Sequence, residues 1–220
     1  MDEATAQSGG ELAGIVTCAG LAALPGRAGS LLAAVNYFGT VDLLEGLRPL
    51  LGPGGSAVAI SSNSTTVQPA VPADLVEACL HHDEELSARV ADARGSLVAY
   101  PATKLAVAHW VRRNATGPDW AGAGLRLNAV APGMIDTPMV AGIRADAKAG
   151  PMLDMLPIPA GRPGRPEEIA AVVDLLLSPD GAFFCGSVVF CDGGSDAVLR
   201  TNDWPAPWDI SVADFGEQHS

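Results

Sequence analysis

Short unbroken apolar runs alternate along this chain with longer stretches in which apolar residues recur at helical spacing. Leu12 to Cys18 is such a run, closed by Ala19-Gly20, and predicts a buried parallel strand and its turn. From Ser30 to Leu51, Leu31, Val35, Phe38, Leu43, Leu47 and Leu50 predict a helix that ends at the breaker Gly52-Pro53-Gly54-Gly55. Ser56 to Ser61 predicts a second buried strand. Pro72 to Arg94 predicts one amphipathic helix, with Leu75, Val76, Cys79, Leu80, Leu86 and Val90 on one side and acids and two histidines on the other. A further helix is expected from Tyr100 to Asn114, with Pro101 tolerated in its first turn. Leu125 to Ala131 predicts a third strand, stopped by Pro132-Gly133. Residues 138–160, rich in Met, Pro and Gly, predict a flap. Pro166-Glu167-Glu168 opens a helix that runs to Leu177, and Ser187 to Cys191 predicts the last strand, closed by Asp192-Gly193-Gly194.

Strands alternating with helices predict an α/β domain around a parallel sheet with right-handed crossovers. Residues 1–220 form one such domain. Residues 1–11 are a polar lead-in, 69–95 a helical insertion, and 201–220 a tail that Trp204 and Trp208 fold back onto the body. No internal repeat is present.

Composition narrows the function. A net charge of −12 and a pI near 4.5 exclude nucleic acid as a partner, since phosphates need a basic stripe. No apolar run reaches the ~18 residues of a membrane span, and the polar start carries no export signal, so a cytoplasmic location is expected. Cys18, Cys79, Cys185 and Cys191 are scattered with no Cys-x-x-Cys, which predicts reduced core thiols and no metal site.

The residues that carry chemistry are Tyr100 and Lys104, four apart and so on one helical face. A phenol titrates near ~10, but an ammonium ~5 Å away at an effective dielectric of ~20 favours its ionised form by about 3 kcal/mol, or roughly two pK units. That brings tyrosine toward the range where general acid–base catalysis works. Ser62, on the strand upstream, supplies a hydroxyl for an oxygen that gains charge. With two tyrosines and two lysines in 220 residues, chance would give the spacing about 0.02 times. A buried tyrosine beside a surface lysine is the plainer alternative for the pair alone.

From Leu12 to about Arg200 the chain resembles the short-chain dehydrogenase/reductase family. Thr17-Cys18-Ala19-Gly20 stands where that family has Asn-Asn-Ala-Gly, and Val35-Asn36-Tyr37-Phe38-Gly39 matches the segment of its asparagine. Ile60-Ser61-Ser62 matches its serine strand, and Tyr100 and Lys104 match its Tyr-x-x-x-Lys. Leu127-Asn128-Ala129-Val130-Ala131-Pro132-Gly133 with Ile135 and Thr137 matches the stretch at the nicotinamide end of its cofactor. The hydroxysteroid dehydrogenase/carbonyl reductase branch is the nearest likeness, through the same motifs, the 69–95 insertion, and Asp192 to Val198 followed by Arg200.

This resemblance implies a Rossmann-type, doubly wound sheet and a hydride exchange between NAD(P) and a secondary alcohol or ketone, hydroxysteroid or otherwise alicyclic. It implies Tyr100 as acid/base, with Lys104 tuning it and holding the nicotinamide ribose. Asn36 would support a water-linked proton path, and Ser62 would bind the reacting oxygen. Ala19, Gly20, Asn36, Tyr100, Lys104, Pro132, Gly133, Ile135 and Thr137 would contact the cofactor, and Ser62, Tyr100 and Met139 the substrate. NAD(H) is preferred over NADP(H) through the branch alone. The insertion points to a homodimer rather than a tetramer.

The family's first βαβαβ unit, roughly 60 residues with the glycine fingerprint, has no counterpart ahead of Leu12. Either the chain is short of its natural N-terminus, the preferred reading because the catalytic set is kept, or it is a remnant that binds a partner without catalysis. A sugar-nucleotide epimerase or dehydratase shares Tyr-x-x-x-Lys but fits Pro132-Gly133 and Thr137 poorly. His81-His82-Asp83-Glu84-Glu85 reads as a solvated helical face, because adjacent helical residues diverge by ~100°. Met139, Met152, Leu153, Met155 and Leu156 line an apolar pocket or simply pack under a loop.

Overall fold

The computed structural model describes residues 11–209. Strand β1 (Leu12–Thr17) is followed by helix α1, residues 29–47, and β2 (Leu51–Ile60). A one-turn helix α2 (Ser64–Val67) follows, then α3 (Ala73–Leu80), α4 (Glu84–Arg94) and the long α5 (Ser96–Asn114). Next come β3 (Arg126–Pro132), α6 (Pro138–Ala145), α7 (Gly150–Asp154), α8 (Pro166–Leu177), β4 (Val188–Cys191) and α9 (Ser195–Leu199). The strands form one parallel sheet in the order β1-β2-β3-β4, with Thr17 opposite Ala59, Ile60 opposite Val130 and Pro132 opposite Cys191. All four strands therefore end at the same edge, where the loops carry the chemistry.

Alternation along β2 sends successive side chains to opposite faces. Ala57 and Ala59 join Ile15, Leu127 and Ala129 in the larger core under α1 and α5. Val58 and Val130 face the other way and pack with Leu176 of α8. Because α5 and α8 lie on opposite faces of strands laid down in sequential order, the β2–β3 and β3–β4 crossovers have opposite hands. The expectation of right-handed crossovers throughout is thus corrected. Residues 133–165 separate β3 from α8, a link long enough to escape the tight geometry behind the usual handedness.

Three helix expectations change as well. Helix α1 is α-helical over Gly29–Leu32 and Gly39–Leu47 but π-helical over Ala33–Phe38. The buried stripe is Leu32, Phe38, Val41 and Leu44, while Leu31 and Leu43 are exposed. The span 72–94 is two helices, broken at 81–83, where His82 takes a left-handed φ of 58° and Asp83 accepts the Leu86 amide to cap α4. His82 is therefore off the helical grid, and the divergence expected of its neighbours does not apply. It meets Asp42 of α1 at 3.5 Å, both exposed, with Glu84 close by. Helix α5 begins at Ser96, not Tyr100, so Pro101 sits a full turn inside it. Gly95, with φ of 82°, ends α4 and starts α5 without a loop.

The Gly52–Gly55 stretch expected as a turn before β2 lies within it as an irregularity, where the partner of β1 jumps from Leu51 to Ser56. No cysteine is paired, but Cys18 and Cys185 are exposed rather than core. The tryptophans of the tail are not buried either: Trp204 is 56% and Trp208 63% exposed. Most of the lead-in and residues 210–220 lie outside the described residues. Among those described, no helix is long and apolar enough to cross a membrane.

Arg126 at the start of β3 closes the second core. Its guanidinium donates to the carbonyls of Leu176 (2.6 Å), Gly181 (2.8 Å), Leu177 and Ser178 (both 3.2 Å), tying together the end of α8 and the turn that follows it. Arg126→Met keeps the length but removes four charge-assisted bonds; Leu176, Ser178 and Gly181 keep the Ser56 hydroxyl and the Gly181 and Phe184 amides as donors, so of these carbonyls only that of Leu177 is left unmet. It is expected to lower stability by about 1–3 kcal/mol in urea denaturation, the cost of one unmet buried acceptor.

Candidate active site

Ser61 and Ser62 leave β2 beside the ends of β1 and β3, and α5 passes over them carrying Tyr100 and Lys104. The Ser61 hydroxyl donates to the Lys104 carbonyl at 2.9 Å, and the Lys104 ammonium donates to the Ile60 carbonyl at 2.8 Å. These bonds fix α5 to the strand end from both directions. Lys104 is only 4% exposed. Burial pulls its pKa down to about 8, although the neighbouring Cys18 thiol opposes this.

Tyr100 lies one turn before Lys104 and shares a side-chain hydrogen bond with Ser62. Burial pushes its phenol up from the usual value of 10, and the Ser62 bond offsets part of that. Proximity to Lys104 was expected to bring the phenol toward neutrality. Burial prevails instead and holds the phenol above its usual value. The Ser62 Oγ also accepts the Ser64 amide at 3.1 Å, which leaves its proton free to point at an oxygen.

Asn36 comes from the π-helical stretch and is wholly buried. Its Oδ1 accepts the Leu21 amide at 2.7 Å and its Nδ2 donates to the Leu21 carbonyl at 3.0 Å, so it clamps the turn after β1. That turn brings Gly20 over the site. A Cβ on Gly20 would stand 3.4 Å from Asn36 Oδ1 and 3.5 Å from Lys104 Nζ. The absent side chain leaves a cradle beside the buried ammonium, and Ala19, next to it, is exposed.

The β3 residues complete the rim. Pro132 accepts the Asn63 amide at 2.9 Å, and Gly133 packs so tightly on Asp192 that a Cβ would fall 2.6 Å from its Cα. Ile135 bridges to Gly164, and Thr137 caps α6 by accepting the Val140 amide at 3.3 Å. Met139, one turn on, is 43% exposed, and Met152 and Met155 are 44% and 81% exposed, so these methionines do not pack under the flap. The structure thus brings together Gly20, Asn36, Ser62, Tyr100 and Lys104, with Pro132 and Gly133 at the neighbouring strand end, and leaves Met139 outside the buried set.

Sequence reasoning missed Asn63, Thr66, Asp192 and Asp196, which hydrogen-bond around the serine loop. Asp192 and Asp196 lie in the stretch that carries the family resemblance and marks a strand end, but nothing local tied them to Asn63 and Thr66.

Known proteins resemble this chain in sequence and fold. Residues 86–196 match the family profile described as enoyl-(acyl carrier protein) reductase. A 3-alpha-hydroxysteroid dehydrogenase/carbonyl reductase from Comamonas testosteroni is 33% identical over 192 residues, covering 85% of this chain and 74% of the relative. Cis-4-hydroxycyclohexanecarboxylate dehydrogenase from Sinomonas cyclohexanicum is 44% identical over 100 residues, 46% of this chain and 38% of that protein. Among solved structures, the 3-alpha-hydroxysteroid dehydrogenase from Pseudomonas sp. B-0831, complexed with NADH, superposes with a TM-score of 0.86 at 38% identity, covering 91% of this chain and 79% of that one. The extent of these matches shows that the chain belongs to the short-chain dehydrogenase/reductase family and is an oxidoreductase with a Rossmann-like fold.

Proposed function

We propose that this protein interconverts a secondary alcohol and a ketone on a hydroxysteroid or other alicyclic skeleton, with NAD(H) as redox partner and Tyr100 as acid/base. The observation that carries the reading is the shared hydrogen bond of Tyr100 and Ser62 beside a buried Lys104 ammonium and the open cradle over Gly20. The cradle suits a nicotinamide ribose: no side chain fills it, and an ammonium has three N–H donors, of which Ile60 takes one. Asn36 holds the wall, and Pro132, Gly133, Ile135 and Thr137 lie along the adjoining strand end, the usual ligand crevice of a parallel sheet. A bound nicotinamide supplies or accepts the hydride.

The chain's own residues manage the oxygen and its proton. Ser62 donates to the substrate oxygen, where negative charge collects during reduction. Tyr100 gives its hydroxyl proton to that oxygen in reduction and takes it back in oxidation. NAD(H) over NADP(H) is supported by the NADH in the Pseudomonas relative's structure, and alicyclic substrates by the names of the relatives. A cytoplasmic homodimer completes the reading; the wholly exposed Phe183 and the exposed Leu175 offer apolar surface to a second copy.

The test is a titration of the purified chain with NADH, followed by nucleotide fluorescence and by NADH oxidation on adding cyclohexanone or a 3-ketosteroid. Saturable quenching and ketone-dependent oxidation are expected. Nucleotide binding without oxidation of any alicyclic ketone would refute the substrate class, and no binding at millimolar NADH would refute the oxidoreductase reading for this chain.

A further inference from the structure

The serine loop does not hold itself in place. Helix α2 has four residues, Ser64–Val67, far below the length at which a helix is stable in water. What fixes it comes from the other end of the chain. Asp196, 7% exposed, accepts the Thr66 hydroxyl at 2.5 Å and an Arg200 N–H at 3.3 Å. The Thr66 hydrogen goes to this carboxylate, because the Asn63 carbonyl is farther off at 3.1 Å and uncharged. Asp192 organises the turn: its Oδ1 accepts the Gly194 amide at 3.0 Å, and its Oδ2 accepts the Asp196 amide at 2.7 Å and, more loosely, Asn63 Nδ2 at 3.4 Å.

The same turn reaches the root of the flap. Gly193 accepts the Ala160 amide at 3.0 Å, and a Cβ on Gly193 would lie 2.9 Å from Ile158 Cγ2. Gly194 packs likewise on Pro159, with a Cβ contact of 3.2 Å. Both glycines have positive φ, 68° and 92°, so the turn cannot be rebuilt with side chains that fill those gaps. Residues 192–196 are therefore wedged between the flap root on one side and the serine loop on the other.

We propose that this turn is a strut that positions Ser62 and couples it to the flap, with Asp192, Asp196 and Thr66 acting as positioning residues. The role assigned to Ser62 rests on the proposed function; the mechanical link does not. A displaced flap root shifts Gly193 and Gly194, and through Asp196–Thr66 and Asp192–Asn63 it shifts the loop whose amide at Ser64 orients the Ser62 hydroxyl.

The experiment compares Thr66→Val, Thr66→Ser and Asp196→Asn by steady-state kinetics and by hydrogen-exchange mass spectrometry of peptides spanning 61–68 and 156–161. Thr66→Val is expected to speed exchange at 61–68 and to lower kcat about 10- to 100-fold, as an ångström-scale misplacement does, while NADH affinity stays within about 2-fold. Thr66→Ser, which keeps the donor, restores both. Asp196→Asn speeds exchange in both peptides. Unchanged exchange at 61–68 in Thr66→Val overturns the strut. Faster exchange with kcat intact overturns the positioning role. Faster exchange in a chain whose parent turns over no ketone upholds the strut and refutes the proposed function alone.

Discussion

Replacing Tyr100 by Phe should cost turnover by about 10³-fold while NADH binds as before. General acid–base catalysis supplies roughly 10²–10⁴-fold, and the substitution removes the one hydroxyl able to give the substrate oxygen its proton. The ring stays, so packing is kept, and the loss is confined to the hydrogen bond with Ser62, worth about 1 kcal/mol of stability. Fluorescence titration beside steady-state oxidation of NADH separates the two readouts, and loss of binding along with turnover would point to fold damage instead. The proton sets a pH signature. Burial raises the Tyr100 pKa, so at neutral pH the phenol is protonated, the form that reduction needs. Ketone reduction should therefore be flat through neutral pH and fall only in alkali, whereas alcohol oxidation, which needs the phenolate, should climb as pH rises.

Much of this site could be read from the sequence because its parts are local. Tyr100 and Lys104 share a helical face by spacing alone, and the strands ending at Thr17, Ile60, Pro132 and Cys191 are apolar runs bounded by turn residues. Helix α8 matches its expected span, Pro166–Leu177, because proline starts it and Glu168 turns back to accept the Arg165 amide at 2.7 Å. What escaped was set by tertiary structure. In α1 the pairs Leu31/Leu43 and Leu32/Leu44 have the same spacing, so periodicity alone could not tell which faces the core, and packing against the sheet buries Leu32 and Leu44. Gly95 starts α5 early through a backbone conformation that side-chain patterns do not record. The contact between Thr66 and Asp196 spans 130 residues, and no local signal marks it.

Lys104→Met should stabilise the ligand-free protein at neutral pH and abolish catalysis. The folded-state pKa of Lys104 is about 8, against 10.5 in the unfolded chain, so the native state binds its proton more weakly. Between those values the unfolded chain holds a proton that the native state has released, and stability rises with pH across that window. Below pH 8 both states are protonated and the whole cost of burying the charge is present, about 3 kcal/mol for a gap of some 2.5 units. Methionine has similar length and no charge, so it removes this cost but leaves the Ile60 carbonyl without its donor, a loss of about 1 kcal/mol. The net gain at pH 7 is about 1–2 kcal/mol in urea denaturation. It should shrink as pH rises through 8 and vanish or reverse near 10.5, where the native amine is already neutral. Turnover should fall at least ~100-fold, together with NADH affinity, because the ammonium beside the cradle is gone. A variant less stable than its parent at pH 7 would show that Lys104 is held for the fold; a variant more stable yet inactive would show that it is held against the fold, for the ligand it faces.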